Sequence, residues 1–444
     1  MFADLGAATD AVLPSARSDL EALVRIPSVS APGFDPAQVV RSAEATLDLM
    51  RRRGLSNLRI LEVDGAHPAV FGEIPAPDGA PTVLLYAHHD VQPPGSDDHW
   101  SSPAFAPTER DGRLYGRGTA DDKAGIAMHL AAIDAHEGRP PVGVKVFVEG
   151  EEEVGSPHLG EFLARYRHLL AADVFVIADS ENWKVGSPAL TTSLRGLVDC
   201  VVEVRTLERG VHSGQFGGAF PDALTSLIRL LATLHDDDGE VAIAGLHGYD
   251  CDPLDLSERE LREHAGALPG TQLIGSGSLT ARTWTRPACS VIAMDVPPIA
   301  EAINQLVPWA RAKVSLRVAP GDDPRRAMKA LVEHLESNAP WGAEVRVMPG
   351  SAGEAIALST QGHAYDAWRE ALRMAWGADT VEIGVGGSIP FVAQFVDAFP
   401  DAAVLLTGVA DPTSRAHGPD ESLDLDEFRK GILAEAIALS LLAG

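Results

Sequence analysis

The 444-residue chain is longer than one simple hydrophobic core usually accommodates, so two domains are expected. Its formal net charge of −27 excludes nucleic acid as a partner, because phosphate binding requires a basic surface. Hydrophobic residues make up 45% of the sequence, but no apolar run approaches the roughly 20 residues of a membrane span.

The ends and the cysteines of the chain bear on its location. The N-terminus lacks a basic region followed by an apolar stretch, which predicts that there is no secretory signal. Cys200, Cys251 and Cys289 are odd in number and form no CxxC pair, which argues against a disulfide framework or a thiolate metal site. We therefore expect a cytoplasmic protein with free thiols and no membrane partner.

The first part of the chain alternates between helical and strand patterns. Residues 17–60 predict helix, strand, helix and strand, with a turn at 26–30. Strands are then predicted at 82–87, 144–149 and 173–178, and a helix at 122–136. This alternation indicates an α/β fold whose mostly parallel sheet carries helices on both faces. The active site of such a sheet lies outside the carboxyl ends of its strands.

The middle of the chain has a different pattern. Leu197–Val204 and Ala312–Val318 alternate like half-exposed strands. The segments Pro221–Leu234 and Pro324–Ser337 have the spacing of amphipathic helices. Together they predict a compact α+β insertion.

The pattern of the first part returns near the C-terminus, with a helix at 363–376 and strands at 381–384 and 403–407. We therefore predict a catalytic domain made of 1–195 and 354–444, interrupted by an inserted domain at 196–353. A ligand cleft is expected where the two domains join.

Carboxylates or histidines are concentrated in five short segments at predicted strand ends or in loops. In chain order these segments are 88–90, 116–125, 149–155, 178–181 and 415–421. In the first of them, His88 and Asp90 project to the same side of an extended chain. The Asp90 carboxylate is thus placed to orient His88 if the imidazole binds a metal.

Each segment also has a simpler explanation. Asp121 or Asp122 could cap a helix, Glu151–Glu153 could form a charged loop, and His417 could be exposed in a turn. Charged groups that follow buried strands must be paired or metal-bound, so the five segments together favour a metal site. Two histidines with several carboxylates suit Zn²⁺, Mn²⁺ or Co²⁺, whereas Ca²⁺ takes oxygen ligands.

A longer series of motifs resembles a known family. In order, the motifs are HHDVQP (88–93), GRGTADDKAG (116–125), EGEEEVGS (149–156), Asp179 after its strand, SLRG (193–196), VHSGQFGG (211–218), VSLR (314–317), GGSIP (386–390) and AHGPDE (416–421). They resemble the dinuclear zinc metallopeptidases, which include aminoacylase, acetylornithine deacetylase and the cytosolic nonspecific dipeptidases. Val91-Gln92-Pro93 and the long insertion resemble the carnosinase-like dipeptidase branch most closely.

The resemblance implies two divalent metal ions, with Zn²⁺ favoured and Mn²⁺ or Co²⁺ as alternatives. Asp121 would bridge the two ions and would be followed by a cis peptide bond. His88 and Asp179 would complete one metal site, and Glu153 and His417 would complete the other.

The resemblance also implies the remaining site residues. Glu152 would be the general base, Asp90 would orient His88, and the ferredoxin-like insertion would be a lid that forms a homodimer. His212 would reach the partner's active site and stabilise the oxyanion, while Arg317 would bind the terminal carboxylate of the substrate. Further substrate contacts are implied for Asn304, Gly387 and Ser388.

The expected activity is hydrolysis of the amide bond of dipeptides or other small peptides by a water molecule that two metal ions activate. Deacylation of N-acyl amino acids by the same residues is the alternative, because those substrates also carry an amide beside a carboxylate. An inactive scaffold protein is disfavoured, since Glu152 and every expected ligand are present. Gly210-Val211, Gly384-Val385 and Asp420 depart from the usual motifs and leave the substrate preference open.

Overall fold

The computed structural model describes residues 2–387 and 390–444. The helices are α1 Phe2–Val24, α2 Pro36–Arg52, α3 Lys123–Ala135, α4 Leu159–Arg165, α5 Arg167–Leu170, α6 Ser213–Phe216, α7 Ala223–Ala232, α8 Glu258–Ala265, α9 Leu279–Trp284, α10 Pro324–Ser337, α11 His363–Trp376, α12 Pro390–Ala398 and α13 Leu425–Leu442. In the described part of the chain, none of these helices is long and apolar enough to cross a membrane.

The strands are two to ten residues long. They are β1 Ser56–Leu61, β2 Ala69–Ile74, β3 Thr82–His88, β4 Thr108–Arg110, β5 Arg113–Tyr115, β6 Gly143–Glu149, β7 Val174–Ile177, β8 Ala189–Leu194, β9 Gly196–Arg205, β10 Val211–His212, β11 Ala288–Asp295, β12 Gln305–Leu306, β13 Trp309–Val318, β14 Glu344–Gly353, β15 Ile356–Ala357, β16 Val381–Val385, β17 Ala403–Leu406 and β18 Ser422–Asp424. The described residues group into two compact units, one of 2–192, 358–383 and 390–444, the other of 193–357 and 384–387.

The first unit is built on a mixed sheet. Its strands follow the order β1-β2-β6-β3-β7-β17-β8. The central strands β6, β3, β7 and β17 are parallel, whereas β1, β2 and β8 pair in the antiparallel sense. The predicted α/β class is therefore confirmed, with the parallel strands at the centre of the sheet.

Both faces of this sheet are covered. Successive residues of a strand point to opposite faces, so Val83 and Leu85 of β3 pack into the core that α3, α11 and α13 share. Tyr86 points the other way, and its ring centroid lies 4.7 Å from that of Phe391 on α12. Because both faces are buried, the strand is largely apolar after Thr82, and ionisable residues that can bind a metal appear where it ends, from His88 onward.

One predicted strand is absent. Within the described residues 25–35, between α1 and α2, no strand forms, and Val29 makes only an isolated bridge with Val91. The segment is used differently, because Ser28 Oγ donates to the backbone oxygen of His89 at 2.6 Å and Ser30 Oγ donates to Asp90 Oδ2 at 2.6 Å. The prediction was wrong because these side-chain hydrogen bonds hold the end of β3 without strand pairing.

The second unit has an α+β architecture, as predicted. Its main elements follow the order β9-α7-β11-β13-α10-β14, the βαββαβ pattern of ferredoxin-like folds, with α8 and α9 inserted before β11. The four strands pair in the antiparallel order β11-β13-β9-β14. Leu227 of α7 and Leu331 of α10 pack with Val202 of β9 and Val314 of β13 into one core.

Candidate metal centre

The parallel strands of the first unit bring polar residues to one edge of the sheet. β3 ends at His88, β6 ends at Glu149 and β7 ends at Ile177. Because parallel strands all point the same way, the residues after them emerge at the same edge. These residues include Asp90, Glu152, Glu153 and Asp179.

Two groups of potential metal-binding atoms converge at this edge. Ligand atoms of His88, Asp121 and Glu153 lie within 4.8 Å of one another. Ligand atoms of His88, Glu152 and Asp179 also lie within 4.8 Å of one another. Four of the five segments that were expected to form a metal site are thus brought together.

Asp121 lies at the centre of the cluster. Its Oδ1 is 3.0 Å from Nε2 of His88, and its Oδ2 is 3.0 Å from Nε2 of His417. The same nitrogen of His417 is 3.2 Å from Oε2 of Glu153. A carboxylate whose two oxygens face two different histidines has the arrangement expected of a bridging ligand.

The adjacent Asp122 has a structural role. The peptide bond between Asp121 and Asp122 is cis, as the family resemblance implies. Asp122 Oδ1 accepts a hydrogen bond from Gly125 N at 3.2 Å and thereby caps α3, while Oδ2 accepts one from His88 N at 3.3 Å. A Cβ atom on Gly125 would lie 2.4 Å from Asp122 Oδ1, so the cap requires glycine at this position.

Asp90 connects His88 to the turn that carries the two glutamates. Its Oδ1 lies 3.4 Å from Nδ1 of His88, on the side of the ring away from Asp121. The buried Asp90 carboxylate also accepts hydrogen bonds from the backbone nitrogens of Glu152, at 3.3 Å, and Glu153, at 3.1 Å. Asp90 therefore fixes both the imidazole and the start of the Glu152–Val154 turn.

The cluster holds more negative charge than its surroundings neutralise. Burial, followed by repulsion from Glu152, raises the pKa of Asp179 well above its usual range. Burial and the nearby carboxylates, against the opposing effect of His88, raise the pKa of Glu152 to about 8. Burial and Asp121 also raise the pKa of Glu153. Bound cations would relieve this repulsion.

The pKa values of the two histidines are also raised, which favours the charged form of each imidazole. Burial disfavours the charged form of His88, but the hydrogen bonds that its ring donates to Asp121 and Asp90 outweigh burial and raise its pKa. Contacts with Asp121 and Glu153 raise the pKa of His417 to about 10. For Asp121, these same histidines outweigh burial and lower its pKa. Imidazole nitrogens and carboxylate oxygens in this arrangement fit divalent cations such as Zn²⁺ or Mn²⁺.

The predicted residues of the second unit occupy two places. The exposed His212 caps α6, and its Nδ1 accepts a hydrogen bond from Gly214 N at 3.1 Å. Pairing of β10 with β12 brings the next residue, Ser213, to Asn304, whose backbone oxygen accepts from Ser213 N at 3.1 Å. Half-buried Arg317 lies elsewhere on β13, opposite Leu197 of β9. Gly387 is described, whereas Ser388 lies outside the described residues.

Sequence reasoning missed two residues that support the centre. Gln92 N donates to Glu153 Oε1 at 2.9 Å, and Gln92 Nε2 donates to the backbone oxygen of Glu153 at 3.1 Å. Its position inside the Val91-Gln92-Pro93 motif was a usable signal. Ser30, which donates to Asp90, lies 60 residues away in sequence and carried no such signal.

Comparison with known proteins identifies the class to which this fold and site belong. Residues 84–439 match the model of peptidase family M20/M25/M40, so the chain belongs to this family. The family resemblance inferred from the motifs is confirmed.

Individual relatives make the comparison more specific. A cysteinylglycine-S-conjugate dipeptidase of Corynebacterium striatum is 38% identical over 392 residues, which cover 86% of this chain and 86% of that protein. The structure of the dipeptidase Dug1p from Saccharomyces cerevisiae superposes with a TM-score of 0.82 at 22% identity, covering 100% of this chain and 98% of that one. Human carnosine dipeptidase 1 also gives a TM-score of 0.82, at 23% identity and with coverage of 100% and 98%. The two superpositions describe the shared fold.

Proposed function

We propose that this protein is a metal-dependent dipeptidase that hydrolyses the amide bond of dipeptides or other small peptides. The main support is the position of Asp121 between His88 and His417, with Glu152 and Asp179 grouped around the same His88. Membership of the peptidase family and the 38% identity to a dipeptidase of cysteinylglycine conjugates support the same substrate class.

Five residues would hold the metal ions. His88 and Asp179 would bind one ion, Glu153 and His417 would bind the second, and Asp121 would contribute one oxygen to each. Bound there, the ions would lower the pKa of a water molecule and polarise the scissile carbonyl. We propose Zn²⁺, with Mn²⁺ or Co²⁺ as alternatives.

Glu152 is proposed to transfer the proton. Its carboxylate takes a proton from the attacking water and returns it to the leaving amine. Burial and the neighbouring carboxylates raise its pKa to about 8 when no cation is bound. Bound cations would lower this pKa again, so that the carboxylate would be free to accept the proton. Asp90 supports this role, since it holds both the backbone nitrogen of Glu152 and the imidazole of His88.

The second unit is proposed to contact the substrate. His212 would stabilise the developing oxyanion in the active site of a partner subunit, for which its exposed position on a short helix cap is suitable. Arg317 would bind the terminal carboxylate of the substrate, because its planar guanidinium forms paired hydrogen bonds to carboxylates. Asn304, Gly387 and Ser388 are proposed as further substrate contacts.

A homodimer is proposed to form through the second unit. Within the described residues, β11 pairs with β13 on one side and has no partner on its other side. Ile292 on β11 is 58% exposed, and the nearby segment exposes Ile299 and Ile303. An apolar edge strand of this kind is suited to pairing with a second copy.

The three cysteines are free, which suits the reducing cytoplasm that we propose as the location of the protein.

The substrate class is tested with metal-stripped protein before and after addition of Zn²⁺ or Mn²⁺. Turnover is measured on dipeptides, including Cys-Gly and β-Ala-His, and on matched N-acetyl amino acids. We expect metal-restored cleavage of the dipeptides in preference to the acyl amino acids. The reverse preference would indicate a deacylase, and no metal-dependent turnover of either class would contradict the proposed chemistry.

A further inference from the structure

A buried ion pair lies beside the metal centre. The side chains of Arg117 and Glu421 are 1% and 0% exposed, and a guanidinium nitrogen of Arg117 lies 2.5 Å from Oε2 of Glu421. The two residues are 304 positions apart in sequence. Burial of both charges costs several kcal/mol unless further hydrogen bonds satisfy them, so their other contacts are informative.

Glu421 holds the backbone that leads to Asp121. Its Oε1 accepts hydrogen bonds from Gly118 N at 3.0 Å, Ala120 N at 2.9 Å and Asp121 N at 3.2 Å. One carboxylate oxygen therefore accepts hydrogen bonds from three backbone N–H groups. These bonds hold the bend from which the Asp121 side chain reaches the two histidines.

Arg117 holds the loop that carries His417. Its second terminal nitrogen donates to the backbone oxygen of Gly418 at 3.2 Å and to that of Pro93 at 3.4 Å. The side chain of His417 is itself 59% exposed, and both of its carboxylate contacts, with Asp121 and Glu153, are made by the same ring nitrogen. The position of its imidazole therefore depends on the anchors of its loop.

We propose that the Arg117–Glu421 ion pair is a positioning device that sets Asp121 and His417 at the distance needed to bind the second metal ion. This inference rests on the proposed function. The pair acts through the backbones that carry two of the ligands, because its hydrogen bonds go to backbone atoms of Gly118, Ala120, Asp121 and Gly418.

The test is metal binding, measured by calorimetric titration of Mn²⁺ into the metal-stripped full-length protein. Arg117→Lys keeps the charge but loses the fork that reaches Glu421 and Gly418 together. We expect one of the two Mn²⁺ binding events to weaken about 10- to 100-fold, as for other residues that orient metal ligands. Excess Mn²⁺ should then restore turnover.

Glu421→Gln provides a second variant if Arg117→Lys fails to fold. The same weakening is expected because the amide has no negative charge and only one oxygen, whereas both oxygens of Glu421 accept hydrogen bonds. Arg53→Lys is the matched control, since Arg53 is also largely buried and contacts Asp19 and Asp134 on α1 and α3. Wild-type Mn²⁺ affinity in both site variants, or an equal loss in the control, would overturn the inference. Absence of Mn²⁺ binding by the unaltered protein would instead contradict the proposed function.

Discussion

Glu152 and Glu153 are adjacent in sequence but are held differently in the metal centre. The Glu153 carboxylate accepts a hydrogen bond from Gln92 N and lies 3.2 Å from the imidazole of His417. Glu152 is held through its backbone nitrogen, and its side chain groups with His88 and Asp179. A firmly placed carboxylate suits a metal ligand, whereas a carboxylate that these side-chain contacts leave unheld suits proton transfer.

Substitution of these two residues should separate the two roles. Glu152→Gln should keep its metal but lose turnover by about 10²- to 10⁴-fold, because the amide cannot accept the proton. Glu153→Gln, the matched variant, should lose metal first, since it removes a charged ligand. Metal content by mass spectrometry and turnover on a dipeptide measure the two effects. Near-normal turnover of the Glu152 variant would remove it from the role of base.

At the residue scale, the sequence predicted which side chains would cluster, but it did not predict the residues that support them. His88, Asp121 and His417 lie in motifs that local sequence can reveal, and the structure brings them together. The Arg117–Glu421 contact joins two positions 304 residues apart, and opposite charges at such a distance are too common to indicate a pair. Helix-capping preferences alone do not distinguish Asp122, which caps α3, from Asp121, whereas the family motif predicts that Asp121 is the bridging residue.

At the scale of the element, the exposed strand β11 is the proposed site of dimer formation. Ile292→Lys should place a charge on this apolar edge and give a folded monomer, because edge lysines oppose strand pairing between chains. Light scattering coupled to size-exclusion chromatography measures the mass. Val40→Lys on α2, an exposed position of the first unit, is the control and should leave the mass unchanged. An unaltered dimer in the Ile292 variant would place the interface elsewhere.

Elements were predictable where burial imposed a pattern. The run at 82–87 became β3, Thr82–His88, and the helix at 363–376 has the predicted bounds. The strands β4, β5 and β18 pair into a separate small sheet but have three residues each, which is too short for an alternating pattern to be recognised. Pairing of this kind depends on distant partners rather than on local sequence.

At the scale of the whole molecule, the proposed dimer makes a prediction about mixed subunits. Glu152→Gln and His212→Ala subunits should each be nearly inactive alone. If His212 acts on its partner, a mixed dimer has one complete site, so an equal mixture should recover about a quarter of wild-type turnover. The recovery is measured after exchange of subunits.

The mixing experiment has an internal control. Adding Ile292→Lys to both variants should abolish the recovery, because the subunits would no longer pair. A mixture that stays as inactive as its components, although mixed dimers form, would mean that His212 does not act across the interface.

The order of the segments along the chain has a consequence for protein synthesis. His88, Asp121, Glu153 and Asp179 are translated early, but His417 and strand β17, which lies between β7 and β8, come after residue 400. A chain leaves the ribosome from its amino end, so β17 is synthesised late. The apolar edge of β7 therefore stays unpaired until translation is almost finished. The nascent chain would need protection from aggregation during that interval. The proposed metal site would be complete only after His417 has been synthesised.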